Sequence, residues 1–171
     1  MELSSFKDLF IFLLSDIYII ENQLLVEVPK MVAKAHSEKL KEALKTHLGE
    51  TKNQIKRLDR AFKLLGEKPR TVEWSRDVKH LFSDAEKFLK SNPSSPLLDA
   101  AIIVIAQRIE HYEIATYGTL REFANVLDND EIKSILKESL KEEAEADTVL
   151  TKLAKGGMFS AGINVEATLN V

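Results

Sequence analysis

The chain has 171 residues, enough for one domain with a real hydrophobic core, and its 44% apolar and 30% charged residues are the mix of a soluble globular protein. A net charge of −3 supplies no field for nucleic acid or an anionic membrane surface, so neither is expected as a partner. The absence of cysteine excludes disulfides, thiolate metal sites and cysteine catalysis.

Ser4 to about Ala35 reads as a first helix, with Phe6, Leu9, Phe10, Leu13, Ile17, Leu24, Val28 and Val32 at three- and four-residue steps. Ser4 or Ser5 caps its start, and Pro29 predicts a kink rather than a stop. Its apolar run Phe10 to Leu14 is too short for a membrane span and is bracketed by Asp8 and Asp16, so a cytoplasmic protein is expected. Glu21 lies on or beside the apolar stripe.

Ser37 to about Leu65 is a second helix, capped by Ser37 and stopped by Gly66 and Pro69. Its stripe runs Leu40, Leu44, His47, Glu50, Gln54, Leu58, Phe62 and Leu65, and the middle is polar where hydrophobes are expected. The link to the first helix is so short that the two form an antiparallel hairpin. Glu21 and Glu50 then sit at the same height, each about 14 residues from the turn.

Glu67 to Pro96 is a long connection with a short helix from about Val72 to Leu89, including Trp74, Phe82 and Ala85, and a loop from Ser91 to Pro96. Its length lets it run the length of a bundle and enter the third helix from the far end. That helix covers Leu97 to about Leu127. Its start is apolar nearly all round apart from Asp99, which implies burial on more than one side. A turn at Asp128–Asp130, with Asp130 as the expected cap, leads into the fourth helix, Glu131 to about Lys155, where Glu143 takes a core position. Gly156 to Val171 shows no helical period and reads as a flexible tail. The expected architecture is all-α: a four-helix bundle over residues 1–155, with a long crossover between the second and third helices that holds a short extra helix, then a tail over 156–171.

Each long helix carries one glutamate on its core stripe near mid-length: Glu21, Glu50, Glu110 and Glu143. Glu113 shares a face with Glu110, His47 precedes Glu50 by one turn, and Asp147 follows Glu143 by one turn. So many carboxylates in one bundle centre repel unless neutralised. Two divalent cations would neutralise them, and hard oxygen donors with some imidazole suit iron or manganese, with zinc also able to bind. Taken singly, each residue has a plainer reading: an exposed glutamate, a satisfied core histidine at His47, or Arg108 as the partner of one carboxylate. Asp147 reads either as a ligand or as an acceptor that orients a histidine, and His111 as a ligand or a bystander. Asn53 and Gln54 read at most as polar support. Tyr112 and Tyr117 read as core or interface residues, with a hydrogen bond to the site or a radical site as alternatives.

Glu21-Asn22-Gln23-Leu24-Leu25 with Pro29-Lys30-Met31, His47-Leu48-Gly49-Glu50-Thr51, Arg57-Leu58, Leu65-Gly66-Glu67-Lys68-Pro69, Glu110-His111-Tyr112-Glu113-Ile114-Ala115 with Tyr117-Gly118-Thr119-Leu120, and Leu140 with Glu142-Glu143 and Asp147 together resemble the YciE/YciF family of bacterial ferritin-like proteins. The likeness covers about residues 5 to 155. It implies a rubrerythrin-like bundle, a homodimer, a dinuclear metal centre and an association with stress responses. The rubrerythrin-like pattern has Glu-x-x-His on the second and fourth helices, whereas Asn53 and Ala146 hold those positions here. Either the site is carboxylate-rich with His47 entering from the other side, or it is degraded. Two classes of function follow: a metal-dependent protein that consumes peroxide or oxygen, or a non-catalytic structural, interaction or metal-storage protein. The substrate is not legible.

Overall fold

The computed structural model describes residues 4–71, 76–91, 95–157 and 160–169. Four long helices, α1 (Phe6–Lys34), α2 (Glu38–Leu65), α4 (Ser95–Val126) and α5 (Asp130–Lys155), form the bundle, and α3 (Arg76–Lys90) lies in the crossover between α2 and α4. This is the expected ferritin-like arrangement. A two-residue antiparallel pair, β1 (Gly156–Gly157) and β2 (Ser160–Ala161), and the short helix α6 (Ile163–Thr168) follow.

The helix ends carry their own signals. Ser5 Oγ accepts from Asp8 N at 3.0 Å and Ser37 Oγ from Leu40 N at 3.4 Å, each satisfying a donor that the first turn leaves unpaired. Gly66 closes α2 at φ 67°, a left-handed position that glycine adopts without a Cβ clash. The α5 cap is Asn129 rather than Asp130: its Oδ1 accepts from Ile132 N at 3.0 Å, three residues on, where a cap must reach. Pro29 stands inside α1, with Val28 and Met31 buried beside it. Ser95 and Pro96 belong to the first turn of α4 rather than to the preceding loop, and proline is tolerated there because its missing N–H has no partner to lose.

Around the bundle the order is α1, α2, α5, α4, and neighbours run antiparallel. Tyr18 of α1 meets Phe62 of α2, Phe6 of α1 meets Phe123 of α4, and Arg60 of α2 pairs with Glu131 of α5. The crossover starts beside the α1 N-terminus, where Arg70 N donates to Ser15 Oγ at 3.0 Å. It ends at the opposite pole, where α4 begins beside the α1–α2 turn. There buried Asp99 accepts from His36 N at 2.8 Å and from Ser37 N at 2.7 Å. These are charge-assisted bonds to two amides that no helix satisfies. Asp99→Ala should therefore cost about 2–4 kcal/mol in urea unfolding; a loss under half of that would show that water replaces the carboxylate.

The core comprises Phe10, Leu14, Ile17, Leu24, Leu40, Leu58, Ile102, Leu120 and Leu136 with their neighbours. α1 is long and apolar enough to cross a membrane by length and composition, yet more than half of its apolar window is buried against the other helices. The apolar start of α4 is covered within the chain by α3, through Phe82 and Ala85, and by α6, through Ile163. Val72 and Trp74 of the expected crossover helix lie outside the described residues. Within 156–169 the hairpin and α6 replace the expected irregular tail. Ile163 docks against the bundle, and Gly162 passes so close to Ala154 that a Cβ there would lie 2.3 Å from its carbonyl oxygen. A six-residue helix has too few turns to show a period in sequence.

Candidate metal centre

At mid-bundle the inward faces turn polar. On α2 the buried positions run Leu44, His47, Thr51, Gln54, Leu58. Glu50 is rotated about 80° from the Leu40–Leu58 line, at roughly 100° per residue. It stands at the edge, with its side chain 29% exposed and its Oε2 at 3.9 Å from His47 Nδ1. α1 supplies Glu21, α4 supplies Glu110 and Glu113, and α5 supplies Glu143, all buried. His47, Glu110, Glu113 and Glu143 converge: one donor atom from each lies within 4.8 Å of the others. His47 Nε2 is 3.7 Å from Glu110 Oε1, and its Nδ1 is 3.9 Å from Glu143 Oε2.

Several neighbours hold this group in place. Tyr117 OH donates to Glu21 Oε1 at 2.5 Å, and Gln54 Nε2 donates to Glu143 Oε1. Arg57 reaches Glu142 Oε2 at 2.6 Å and Glu138 Oε1 at 2.5 Å. It thus occupies the carboxylate next to Glu143 and leaves Glu143 to the centre. Many buried polar atoms at the centre have no hydrogen-bond partner: both nitrogens of His47, both oxygens of Glu113, and Oε2 of Glu21, Glu110 and Glu143. Unpaired buried polar atoms are rare because each costs about 1–3 kcal/mol. Their concentration at one point is the pattern of a cation's ligand shell.

Burial pushes the carboxyls of Glu21, Glu110 and Glu113 well above the usual range, and the nearby Glu143 raises them further. Glu143 itself is pushed up to about 7, chiefly by burial and then by the neighbouring carboxylates of Glu142 and Glu50, against the pull of its hydrogen bond from Gln54. Burial drives His47 down to about 4. Burial thus favours protonated acids and a neutral imidazole in the metal-free centre, and a cation would take the place of those protons.

Not every expected ligand joins the group. Asp147 accepts from Gln107 Nε2 at 2.9 Å and lies 3.3 Å from Nε2 of the exposed His111, in the groove between α4 and α5 and outside the quartet. It stands one turn past Glu143, beside a histidine that faces solvent. Asn53 is exposed, and so is Arg108, whose charge acts on Asp84 of α3 rather than on the centre. Helical periodicity does not single out Asp16, a fully buried carboxylate of α1 that accepts from Tyr112 OH. Its only sequence signal is a lone acid between Leu14 and Ile17.

Residues 5–162 match the profile of the family described as Domain of unknown function (DUF892). The chain belongs to this family. Over 156 residues it is 38% identical to Protein YciF of Escherichia coli strain K12, covering 90% of this chain and 93% of that protein. The crystal structure of the E. coli stress protein YciF superposes with a TM-score of 0.84 at 37% identity, over 88% of this chain and 95% of that one. YcfI from Rhodopseudomonas palustris, provisionally described as a structural protein, also superposes at 0.84, with 40% identity over 90% and 97% of the two chains. A Xanthomonas campestris protein at 20% identity and a TM-score of 0.73 shares the fold. Most of this DUF892 chain, including the whole centre, thus lies within the shared bundle.

Proposed function

We propose that this DUF892 protein binds two iron or manganese ions at the centre of its bundle and uses them in a bacterial stress response to consume peroxide or oxygen. The observation that carries the reading is the set of unpaired buried donors on His47, Glu21, Glu110, Glu113 and Glu143. His47, Glu110, Glu113 and Glu143 would hold a first cation, and the buried Glu21 would be an added carboxylate for a second. Oxygen donors with one imidazole favour these metals, and zinc would compete for the site. When bound, iron or manganese supplies the one-electron changes through which peroxide or oxygen is reduced. The chain's own part is to fix and shield the site: Tyr117 orients Glu21, Gln54 orients Glu143, and Arg57 neutralises Glu142. The same proposal includes a homodimer, since Leu97 and Val104 leave apolar surface on α4, and a cytoplasmic location.

The test is elemental analysis of untagged protein reloaded with iron or manganese, followed by peroxide consumption. Two ions per chain with peroxide-dependent oxidation is the expected result. Metal without turnover would favour storage, and no bound metal would leave a structural or interaction role, the reading suggested by the description of YcfI.

A further inference from the structure

The centre is not closed on all sides. A cleft of about 390 Å³ opens between α2 and α5, walled by Leu44, Ala146, Val149, Leu150 and Leu153, and its floor is His47 and Glu110. Its rim carries Glu42, Glu50 and Glu145 against Lys39. A second cavity touching His47 and Glu110, on the side of Leu24, Val28 and Met31, holds only about 10 Å³ and is otherwise apolar, so it offers a cation no ligand on the way in. Glu21 and Glu143 are held by Tyr117 and Gln54 and do not line the cleft.

We propose that divalent cations load the centre through the α2–α5 cleft, gathered by Glu42, Glu50 and Glu145 and received by His47. An acidic rim alone would be a solvated surface. Here it leads to an imidazole that is 6% exposed, has both nitrogens unpaired and forms part of the cleft floor. Three carboxylates around a low-dielectric mouth raise the local concentration of cations. Glu50 sits midway, at 3.9 Å from His47, close enough to hand an ion inward. An ion held by His47 and Glu110 would lie at the end of this cleft, where a small uncharged oxidant would reach it past apolar walls. The proposal rests on the metal-binding reading above and adds the path.

The experiment follows cobalt(II) uptake by the metal-free full chain in stopped flow, using the cobalt absorption band, with final stoichiometry from elemental analysis. Ala146→Trp narrows the cleft and leaves all four quartet side chains in place, and should slow uptake roughly tenfold or more while leaving the final stoichiometry unchanged. The double variant Glu42→Gln/Glu145→Gln, at two exposed positions, should slow uptake severalfold at low salt and flatten its salt dependence. Val26→Trp, on exposed α1 surface away from the cleft, should load as the parent does. If Ala146→Trp does not fold, the double variant decides the question. Uptake at the parental rate in the folded cleft variants would overturn the path and leave the metal centre standing. Equal slowing in Val26→Trp would also overturn it. Absence of cobalt binding by the parent would overturn the centre and the path together.

Discussion

Glu113→Met is expected to make the metal-free protein more stable by about 2 kcal/mol while weakening metal binding more than roughly 100-fold. Glu113 is fully buried, and neither of its oxygens has a hydrogen-bond partner. Burial and the carboxylates of Glu143, Glu21 and Glu110 hold its proton on. The folded metal-free chain therefore carries an acid that prefers water and has nothing to bond to. Methionine fills nearly the same volume with no polar oxygen to desolvate, so the folding penalty goes and little cavity is left. The same change removes one of the four groups that converge on the cation site. Opposite signs for stability and binding mark a residue kept for function. Urea unfolding of the metal-free protein and cobalt titration together check this; a metal-free variant less stable than the parent would mean that the carboxyl supports the fold itself.

The second large effect is in pH. Unfolded glutamates ionise near 4.5, whereas Glu21, Glu110, Glu113 and Glu143 in the folded metal-free chain do so at higher pH. Between those values the folded state holds protons that the unfolded state has lost, so rising pH favours unfolding. For Glu143, between 4.5 and about 7, this is worth roughly 3 kcal/mol. His47 acts the other way: folded near 4 against 6.5 unfolded, its neutral burial disfavours the folded state below pH 6.5, and that penalty fades as pH rises to 6.5. Above 6.5 the His47 contribution is nearly spent and the carboxyls dominate. The Tm of metal-free protein should therefore fall by about two degrees or more between pH 6.5 and 8, as Glu143 finishes ionising. With metal present the fall should vanish, because the cation replaces the protons and binds more tightly as they leave. A flat metal-free profile over that range would mean that the four carboxyls are not buried together.

On α4, Glu110 and Glu113 were found because positions three apart share a face, and both point inward. On α2, the same logic placed His47 correctly but put Glu50 on the stripe, where the inward position belongs to Thr51; a rotation of about 80° separates an edge from a core position and lies within the width of an amphipathic stripe. Asp147 was drawn in by its spacing from Glu143, yet Gln107 and His111 hold it in the α4–α5 groove. Asp16 was passed over because its partner, Tyr112, lies 96 residues away on another helix.

The sequence by itself determined the four long helices, the signals at Ser37 and Gly66 that bound the second, the length of the crossover, and the presence of misplaced acids at mid-bundle. All of these depend on neighbours within a turn or two, which periodicity records. Only the tertiary structure decided which acids meet, that both His47 nitrogens are left without partners, and that a cleft between α2 and α5 reaches them. Those features depend on the rotation and packing of helices far apart in the chain, and a single sequence does not record them.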